Sequence, residues 1–419
     1  MRLFLWSISL LVSQINSAKN FSLDRGSARI IFHYEEEICL LNEAVKEYAI
    51  IRSNQHQAPV PSANLPPQRL KRWSLTPECL TDTEGKEKYC VYISKTFASG
   101  RGISLFTSPT IADQIAERLE STDSDRYEKC NNFKSAPWEI KHTPARGNGL
   151  FATRVISRGE EIITSTPVGI YQSNAFFLDY PLGYQYLRKT FDHLPEDTKK
   201  VFLRMASNPV GDLVMERINV NSFAGEFDGK PHFLIYPETA LLNHDCRPNA
   251  MYHYNSSSLI HAAVASRVIQ PGEEITITYI NMLTSRAERQ QHLQAIWGFT
   301  CTCAHCNGDE SESDRRVQRI QYLQQTLTTR PNSPLAMAEE LLSLYEAENV
   351  HAAAGMGHMF AAIAYNNIGD TTQAVKHAQI AREMGIINDA KREDNEEDML
   401  SLLKAPSLHW SYKSHSGAK

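Results

Sequence analysis

The stretch Leu241–Ala250, LLNHDCRPNA, decides how this chain is interpreted, because an Asn-His pair, a cysteine and a Pro-Asn turn share one short run. A second run, Cys301–Cys306, reads CTCAHC and carries three cysteines in Cys-x-Cys-x-x-Cys spacing. Structural zinc takes four tetrahedral ligands, with thiolate sulfurs about 2.3 Å from the ion. His305 is an unfavourable fourth ligand, because adjacent residues rarely bend enough to bind one ion together. The predicted zinc ligands are therefore Cys246, Cys301, Cys303 and Cys306.

The segment before the second cysteine run has the pattern of a β-strand that starts at a turn. Residues 270–273, Gln-Pro-Gly-Glu, fit a type II turn, with proline at the second and glycine at the third position. After the turn, Ile275, Ile277 and Tyr279 alternate with threonines. This alternation predicts a strand in which Tyr279 shares the inward face with the two isoleucines.

Helical patterns follow. Ser285 and Glu288 stand in capping-box spacing ahead of a helix that carries Leu293, Ile296 and Trp297 on one face. Beyond residue 311 the chain becomes alanine-rich and amphipathic, and residues 369–370, Gly-Asp, separate two helical runs. These runs look like one tetratricopeptide (TPR) unit, although two packed antiparallel helices explain the pattern equally well.

Four motifs occur in an order that resembles a known family. They are RGNGLFA (Arg146–Ala152), NHDCRPN (Asn243–Asn249), GEEITITY (Gly272–Tyr279) and WGFTCTCAHC (Trp297–Cys306). Together they resemble a SET domain followed by its post-SET zinc segment. The run ISRGEEIITSTPVGI and the helical C-terminal part make the chain most similar to the SMYD-like branch. That branch normally carries a MYND zinc finger inside its SET domain, but no cysteine lies between Val155 and Leu242, so the finger is absent.

The resemblance implies an α+β fold in which a pseudoknot brings the Asn-His pair to Tyr279, followed by a TPR-like helical domain. The chain then divides into a signal peptide (1–18), an N-terminal region (19–136) with a Pro-rich linker near 53–72, a SET domain (137–283), a post-SET zinc segment (284–310) and a helical domain (311–410).

The same resemblance implies a protein-lysine N-methyltransferase that uses S-adenosylmethionine and contains Zn²⁺. Tyr279 is the implied catalytic residue, since its hydroxyl would orient the methyl group and the attacking amine. The implied cofactor-binding residues are Arg146, Gly147, Asn148, Gly149, Asn221, Leu241, Asn243, His244, Tyr279, Trp297 and Phe299. Without the other motifs, a turn cap is the favoured interpretation of Asn243 and His244, and a core aromatic is an open alternative for Tyr279.

Charge and hydropathy limit the partners. The 419 residues have a net charge of -5, which gives no basic excess for gripping phosphates, so direct nucleic-acid binding is disfavoured. No segment after the N-terminus reaches the ~18 consecutive apolar residues of a membrane span. A lysine-bearing protein or peptide is the partner that the family resemblance implies.

The N-terminus indicates a compartment. Arg2 precedes an apolar run from Leu3 to Val12 and then small residues, which is the layout of a secretory signal peptide; a buried N-terminal strand or helix is the alternative. The four scattered cysteines then suggest two disulfides of unresolved connectivity. These cysteines are Cys39, Cys79, Cys90 and Cys130. We expect a secretory location, with a nuclear or cytoplasmic one if the N-terminus is not a signal.

Three classes of function remain open at this stage. The first is the lysine methyltransferase, favoured by the intact Tyr279 and Asn243-His244. The second is a secreted SET-fold binding protein without methyl transfer, favoured by the N-terminal signal and the scattered cysteines. The third is a small-molecule metabolic enzyme that reuses the SET pocket. Region 19–136, which has no recognised counterpart in the family, would allow this.

Overall fold

The structure is a computed structural model, and it describes residues 72–81, 87–122, 124–144, 146–176, 180–207, 212–255, 257–384 and 392–414. The predicted signal peptide, Cys39 and the Pro-rich linker up to residue 71 lie outside the described residues. The domain boundaries therefore stay predictions.

Mixed strands and helices confirm the α+β class. The strands are β1 (Glu78–Thr81), β2 (Lys88–Ser94), β3 (Ile103–Thr107), β4 (Trp138–Thr143), β5 (Gly147–Ala152), β6 (Glu161–Ser165), β7 (Gly169–Gln172), β8 (Ser222–Phe227), β9 (Lys230–Ile235), β10 (Asn243–His244), β11 (Ala250–Tyr254), β12 (His261–Ala265) and β13 (Glu274–Ile277).

The α-helices are α1 (Pro109–Ser121), α2 (Ser124–Lys129), α3 (Tyr180–Asp192), α4 (Glu196–Phe202), α5 (Leu213–Asn221), α6 (Arg286–Trp297), α7 (Glu310–Thr329), α8 (Leu335–Ala347), α9 (Ala354–Asn367), α10 (Thr371–Met384) and α11 (Arg392–Lys404). Short helical turns lie at Phe97–Gly100, Ser173–Phe176, Thr239–Leu241 and His351–Ala353.

The largest sheet joins the N-terminal region, before residue 137, to the rest of the fold. Its order is β1-β2-β3-β7-β9-β8, and β3 pairs in parallel with β7. All five residues of β3 are buried, as expected for a central strand of β-branched and aromatic residues. The region before residue 137 thus contributes three strands to a sheet that also contains β7, β8 and β9.

A four-stranded sheet, in the order β10-β13-β5-β4, brings the quoted motifs together. Strand β10 pairs in parallel with β13, so that Asn243 faces Thr276 and His244 faces Ile277. Strand β13 pairs in antiparallel fashion with β5, where Ile275 faces Leu150. The middle position of β13 therefore places the Asn-His pair on one side and the glycine-rich strand on the other.

The strand predicted to run through Tyr279 ends earlier. β13 stops at Ile277, where the carbonyl of Ile277 accepts from the Asp245 N–H, 2.9 Å. The next residues turn, and the Thr278 hydroxyl donates to the Ile280 carbonyl, 2.6 Å. Tyr279 is therefore a loop residue, because a local side-chain hydrogen bond replaces the sheet ladder.

Local predictions around this strand agree with the structure. Gly272 has φ +83°, as the third position of a type II turn requires, and the Glu273 N–H donates to the Gln270 carbonyl, 3.0 Å. Ser285 and Glu288 form the predicted capping box at the start of α6. The helix begins where the sequence predicts it.

The helical C-terminal region is confirmed and packs on the SET part of the chain. α9 and α10 are joined through Gly369, which has φ +86°. Met251, Met282 and Leu283, from the other part of the chain, share a buried apolar cluster with the helices. No helix of the described residues is long and apolar enough to cross a membrane.

Among the scattered cysteines that the structure describes, two form a disulfide. Cys79 and Cys90 stand opposite each other in β1 and β2 and are bonded. Cys130 carries a free thiol that donates to the Arg126 carbonyl, 3.2 Å, and its burial raises the thiol pKa to about 11. The thiol packs beside Tyr127. Cys39 lies outside the described residues, so the second predicted disulfide stays a prediction.

Candidate functional site

Asn243, Glu274 and Arg146 form a hydrogen-bonded cluster of side chains, here called the polar group, where β10, β13 and the start of β5 meet. The Asn243 amide donates to Glu274 Oε1, 2.8 Å, and to the Asn148 carbonyl, 3.2 Å. The Arg146 guanidinium donates to Glu274 Oε2, 2.7 Å, and to the His244 carbonyl. The Glu274 side chain is only 16% exposed. Glu274 directly follows a turn, a position typical of a solvated residue, but its carboxylate is the centre of the group.

The glycine-rich strand approaches this group very closely. A Cβ on Gly149 would lie 2.6 Å from Glu274 Oε1 and 2.8 Å from Asn243 Nδ2. Gly147 has φ +70°, a left-handed conformation that glycine adopts without strain, and a Cβ there would meet open space. Gly149 thus allows the Asn243 and Glu274 side chains to contact the backbone of β5 directly.

Replacing Gly149 with alanine is expected to weaken S-adenosylmethionine binding about 10-fold, equivalent to about 1.4 kcal/mol, because Asn243 and Glu274 must move. Calorimetric titration measures the affinity. Gly308→Ala is the matched control, since its Cβ would meet neighbours at ordinary distances, 3.5 Å or more. Unchanged affinity in the Gly149→Ala protein would contradict a role for this strand in cofactor binding.

Tyr279 is held at both ends by the Asn-His segment. Its N–H donates to His244 Nδ1, 3.0 Å, and its hydroxyl donates to the Leu242 carbonyl, 2.8 Å. Burial raises the pKa of Tyr279 well above its usual range, so the phenol keeps its proton. The hydroxyl therefore acts as an oriented donor and acceptor, and not as a base.

His244 connects this tyrosine to the cysteines. Because its Nδ1 accepts from Tyr279, the hydrogen-bond network assigns the proton to Nε2, which lies 3.3 Å from Cys246 Sγ. Burial lowers the pKa of His244 to about 3, which keeps the imidazole neutral. A histidine N–H that donates to a ligand sulfur fixes that ligand's orientation.

An aromatic surface covers one side of Tyr279. The rings of Tyr279 and Trp297 are 5.1 Å apart, and the indole N–H of Trp297 donates to the Val220 carbonyl, 3.1 Å. Phe299 lies 6.2 Å from the His244 ring. Trp297 and Phe299, both predicted to bind the cofactor, thus lie beside Tyr279 and His244.

Asn221 and Leu241 are placed differently from the other predicted residues. The Asn221 amide donates to the carbonyls of Ala206 and Arg217, 2.8 Å each, so its N–H groups point into the chain around α5. Leu241 is 7% exposed and packs in the apolar core. The structure does not bring the Asn221 amide into the polar group, and the cofactor roles of both residues stay predictions.

Other aromatic residues near the site are not apparent from the sequence. Phe223 and Tyr252 are 5.1 Å apart in edge-to-face geometry, and both pack against the core that Tyr279 borders. Tyr252 is close enough to Tyr279 to raise the pKa of its phenol, although burial is the larger cause. Only their position in the sequence could have indicated these two residues, because Phe223 follows NVNS and Tyr252 lies six residues after Cys246.

His261 lies beneath these aromatics and makes a pH prediction possible. Burial lowers its pKa to about 3 from an unfolded value of 6.5, so the unfolded chain binds the proton more tightly. Stability from this group is complete above pH 6.5 and is lost as the pH falls toward 3, by at most about 1.4 kcal/mol per pH unit. In urea unfolding between pH 5.5 and 4, His261→Leu should flatten the pH dependence by that amount. An identical slope in both proteins would contradict the assignment.

Four cysteine sulfurs form the predicted metal cluster. The ligand atoms of Cys246, Cys301, Cys303 and Cys306 all lie within 4.8 Å of one another. Cys246 Sγ is 3.9 Å from Cys301 Sγ and 3.5 Å from Cys306 Sγ. Sulfurs at 2.3 Å from a tetrahedral ion stand about 3.8 Å apart, so the arrangement fits Zn²⁺. The Nε2 atom of His305 instead lies 3.1 Å from Ser313 Oγ.

Contacts among the four sulfurs lower the pKa of two of the cysteines, Cys303 and Cys306, and the pKa of the other two, Cys246 and Cys301, is raised. Contact with the Cys246 thiol lowers the pKa of Cys303, and contact with Cys246 also lowers that of Cys306, to about 7. Gln290, from α6, bonds both the N–H and the carbonyl of Cys301, 2.8 Å each. Helix α6 therefore holds the second cysteine run beside the first.

Comparison with known proteins identifies a SET domain at residues 147–280. An 80-residue stretch is 39% identical to histone-lysine N-methyltransferase SMYD3 of Mus musculus and covers 19% of this chain and 18% of that protein. A 207-residue stretch is 27% identical to histone-lysine N-methyltransferase set5 of Schizosaccharomyces pombe, covering 47% of this chain and 60% of that protein. A third match, N-lysine methyltransferase SMYD2 of Gallus gallus, is 31% identical over 105 residues, 25% of this chain and 24% of that protein.

The chain therefore contains a SET domain and has homologues in the SMYD family and among other SET methyltransferases. The aligned parts span at most 60% of these relatives.

Proposed function

We propose that this chain is an S-adenosylmethionine-dependent protein-lysine N-methyltransferase. The observation that carries the proposal is the double clamp on Tyr279, whose N–H is bonded to His244 and whose hydroxyl is bonded to the Leu242 carbonyl. A tyrosine hydroxyl fixed beside a SET-type Asn-His segment suits a reaction that depends on positioning. The SET match and the methyltransferase homologues support the same reaction class.

The residues present fit S-adenosylmethionine. Gly149 lets the Asn243 and Glu274 side chains pack directly against the backbone of the glycine-rich strand, where the cofactor would be held. Arg146, which is 36% exposed, offers a positive charge for the carboxylate of the cofactor's amino-acid end, and Phe299 and Trp297 offer faces for an adenine ring. When bound, the cofactor supplies a methyl group on a positively charged sulfonium.

The chain's own residues prepare the lysine. The attacking amine must be neutral, and its ordinary pKa is about 10.4. The apolar rings of Phe223, Tyr252 and Trp297 exclude water near Tyr279, and desolvation lowers the pKa of an amine. The protonated Tyr279 hydroxyl donates to Leu242, so its oxygen can accept an N–H of the amine and aim the lone pair. The product ammonium then loses its proton to water.

We further propose that the four cysteines hold one Zn²⁺ with a structural role. Four thiolates close a tetrahedral site and leave no open position for a reacting water. The ion would tie Cys246, two residues after His244, to the run that ends at Cys306. Its contribution would be to fix the backbone that carries the Asn-His pair.

The proposed substrate is a lysine side chain of a protein or peptide, in keeping with the names of the homologues. Methyl-labelled S-adenosylmethionine is incubated with core histones and with a mixture of lysine-rich peptides, and products are hydrolysed to amino acids. Labelled methyl-lysine from the wild-type protein, and none from Asn243→Ala, would support the proposal. Label in free small molecules alone would favour a metabolic enzyme.

The disulfide between Cys79 and Cys90 favours a second candidate function, a secreted SET-fold binding protein without turnover. Disulfides persist mainly in oxidising compartments. With the apolar run Leu3 to Val12, this bond also supports a proposed secretory location. Mass spectrometry of native protein with all eight cysteines reduced or metal-bound would argue against both.

A further inference from the structure

Arg247 occupies a buried position between the cysteine motif and the helical region. Its guanidinium, 6% exposed, donates to the carbonyls of Cys246, 2.8 Å, and Met282, 2.9 Å. It also donates to the carbonyl and the carboxylate of Glu348, 2.7 Å each. One side chain thus bonds the backbone of a predicted metal ligand and a residue 101 positions away.

Glu348 directly follows α8, and its carboxylate accepts hydrogen bonds from two arginines and a serine. Its side chain is 1% exposed. One carboxylate oxygen accepts from Arg247, 2.7 Å, and the other from Arg316 of α7, 2.5 Å. The Ser313 hydroxyl donates to the same oxygen as Arg247, 3.0 Å. The carboxylate is therefore fully bonded and held in one position.

The same carboxylate reaches the other half of the cysteine cluster. Ser313 Oγ lies 3.1 Å from His305 Nε2, and His305 lies between Cys303 and Cys306. Glu348 consequently braces the Cys246 segment through Arg247 and the Cys301–Cys306 run through Ser313. Hydrogen bonds between an arginine and a carboxylate are charge-assisted, and they are roughly twice as strong as bonds between neutral groups.

We propose that Glu348 is a positioning residue that acts through Arg247 to hold Cys246 and the adjoining Asn-His segment in place for metal and cofactor. This inference rests on the proposed function for its cofactor part. It makes the helical region a working component of the SET site, because the required carboxylate comes from the residue that follows α8. Second-sphere contacts to metal ligands commonly change metal affinity by about 10–100-fold.

Glu340 provides a matched control. Its carboxylate also joins α8 to α7, through Arg319, at 2.7 Å for each of two hydrogen bonds. That pair is 44% and 40% exposed and reaches no residue of the cysteine motifs. Glu340→Gln therefore removes an ion pair between the same two helices and leaves the Arg247 contact untouched.

The experiment compares the full-length wild-type, Glu348→Gln and Glu340→Gln proteins. Zinc release to a chromogenic chelator and the affinity for S-adenosylmethionine are both measured, with thermal unfolding as a fold check. We expect Glu348→Gln to release zinc at least about 10-fold faster and to bind the cofactor more weakly by a similar factor. Glu340→Gln should match the wild type. Glu348→Asp, which keeps the charge, should recover part of both.

Equal zinc release and equal cofactor affinity in Glu348→Gln and Glu340→Gln would overturn the inference. Faster zinc release by Glu348→Gln, when not even the wild type binds S-adenosylmethionine, would uphold the bracing of the metal cluster and reject the proposed function. If Glu348→Gln does not fold, Arg247→Lys takes its place. Lysine keeps the charge but cannot reach all four acceptors, so wild-type zinc release in that variant would equally overturn the inference.

Discussion

Phenylalanine in place of Tyr279 is expected to lower the rate of methyl transfer to lysine by about 100-fold and to leave S-adenosylmethionine affinity nearly unchanged. The substitution removes only the hydroxyl that donates to the Leu242 carbonyl. The ring keeps its packing 5.1 Å from Trp297, and the N–H of residue 279 still reaches His244. The loss should therefore appear in kcat and not in binding. Single-turnover methylation and calorimetric titration separate the two.

Tyr345→Phe is the control for this prediction. Tyr345 is buried in α8, and its hydroxyl accepts from the Gln324 amide, 2.6 Å. Removing this hydroxyl disturbs a packed region without touching the SET motifs, so the rate should hold. A Tyr279→Phe enzyme that retains full activity would show that the hydroxyl does not orient the reacting groups.

Serine in place of Cys246 is expected to abolish stoichiometric zinc binding and to lower the melting temperature by about 10 °C. Losing a structural metal removes several kcal/mol of folding free energy. Each kcal/mol moves the melting temperature of a domain of 150–250 residues by about 2–4 °C. Because His244 bonds to the Cys246 sulfur, cofactor affinity should fall as well. Elemental analysis and thermal unfolding provide the measurements.

Cys130→Ser tests whether this effect belongs to the cluster. Cys130 is also buried and free, but its thiol bonds to the Arg126 carbonyl, away from the other sulfurs. Serine can keep that hydrogen bond, so zinc content should be unchanged. One zinc ion per chain retained by the Cys246→Ser protein would contradict the four-thiolate site.

The cysteine cluster was predictable because a tetrahedral zinc site needs four ligands. Three cysteines in one run lack a fourth tetrahedral ligand, and Cys246 was the remaining candidate in that half of the chain. The capping box at Ser285 was predictable for a similar reason, since it depends on residues three apart. The capping box depends on residues that are close in the sequence, and the cysteine cluster depends on the number of ligands that zinc takes.

The remainder depends on contacts that the sequence does not encode locally. Glu274 follows a turn and looks solvated, but the pairing of β13 with β5 brings Arg146 to it across 128 positions. Tyr279 alternates with isoleucines, yet the strand ends at Ile277 because Thr278 bonds the following turn. Glu348 carries no motif at all, and only the packing of α8 against the SET part places it beside Arg247.

The most direct test of the central claim is calorimetric titration of the folded, zinc-loaded protein with S-adenosylmethionine, alongside Asn243→Ala. Asn243 bonds both Glu274 and the Asn148 carbonyl at the centre of the polar group. The proposed function predicts binding with a dissociation constant in the micromolar range and its loss in the variant. No detectable heat of binding from a wild-type protein that retains its zinc and its thermal transition would contradict it, and the SET motifs would then serve as a scaffold for binding.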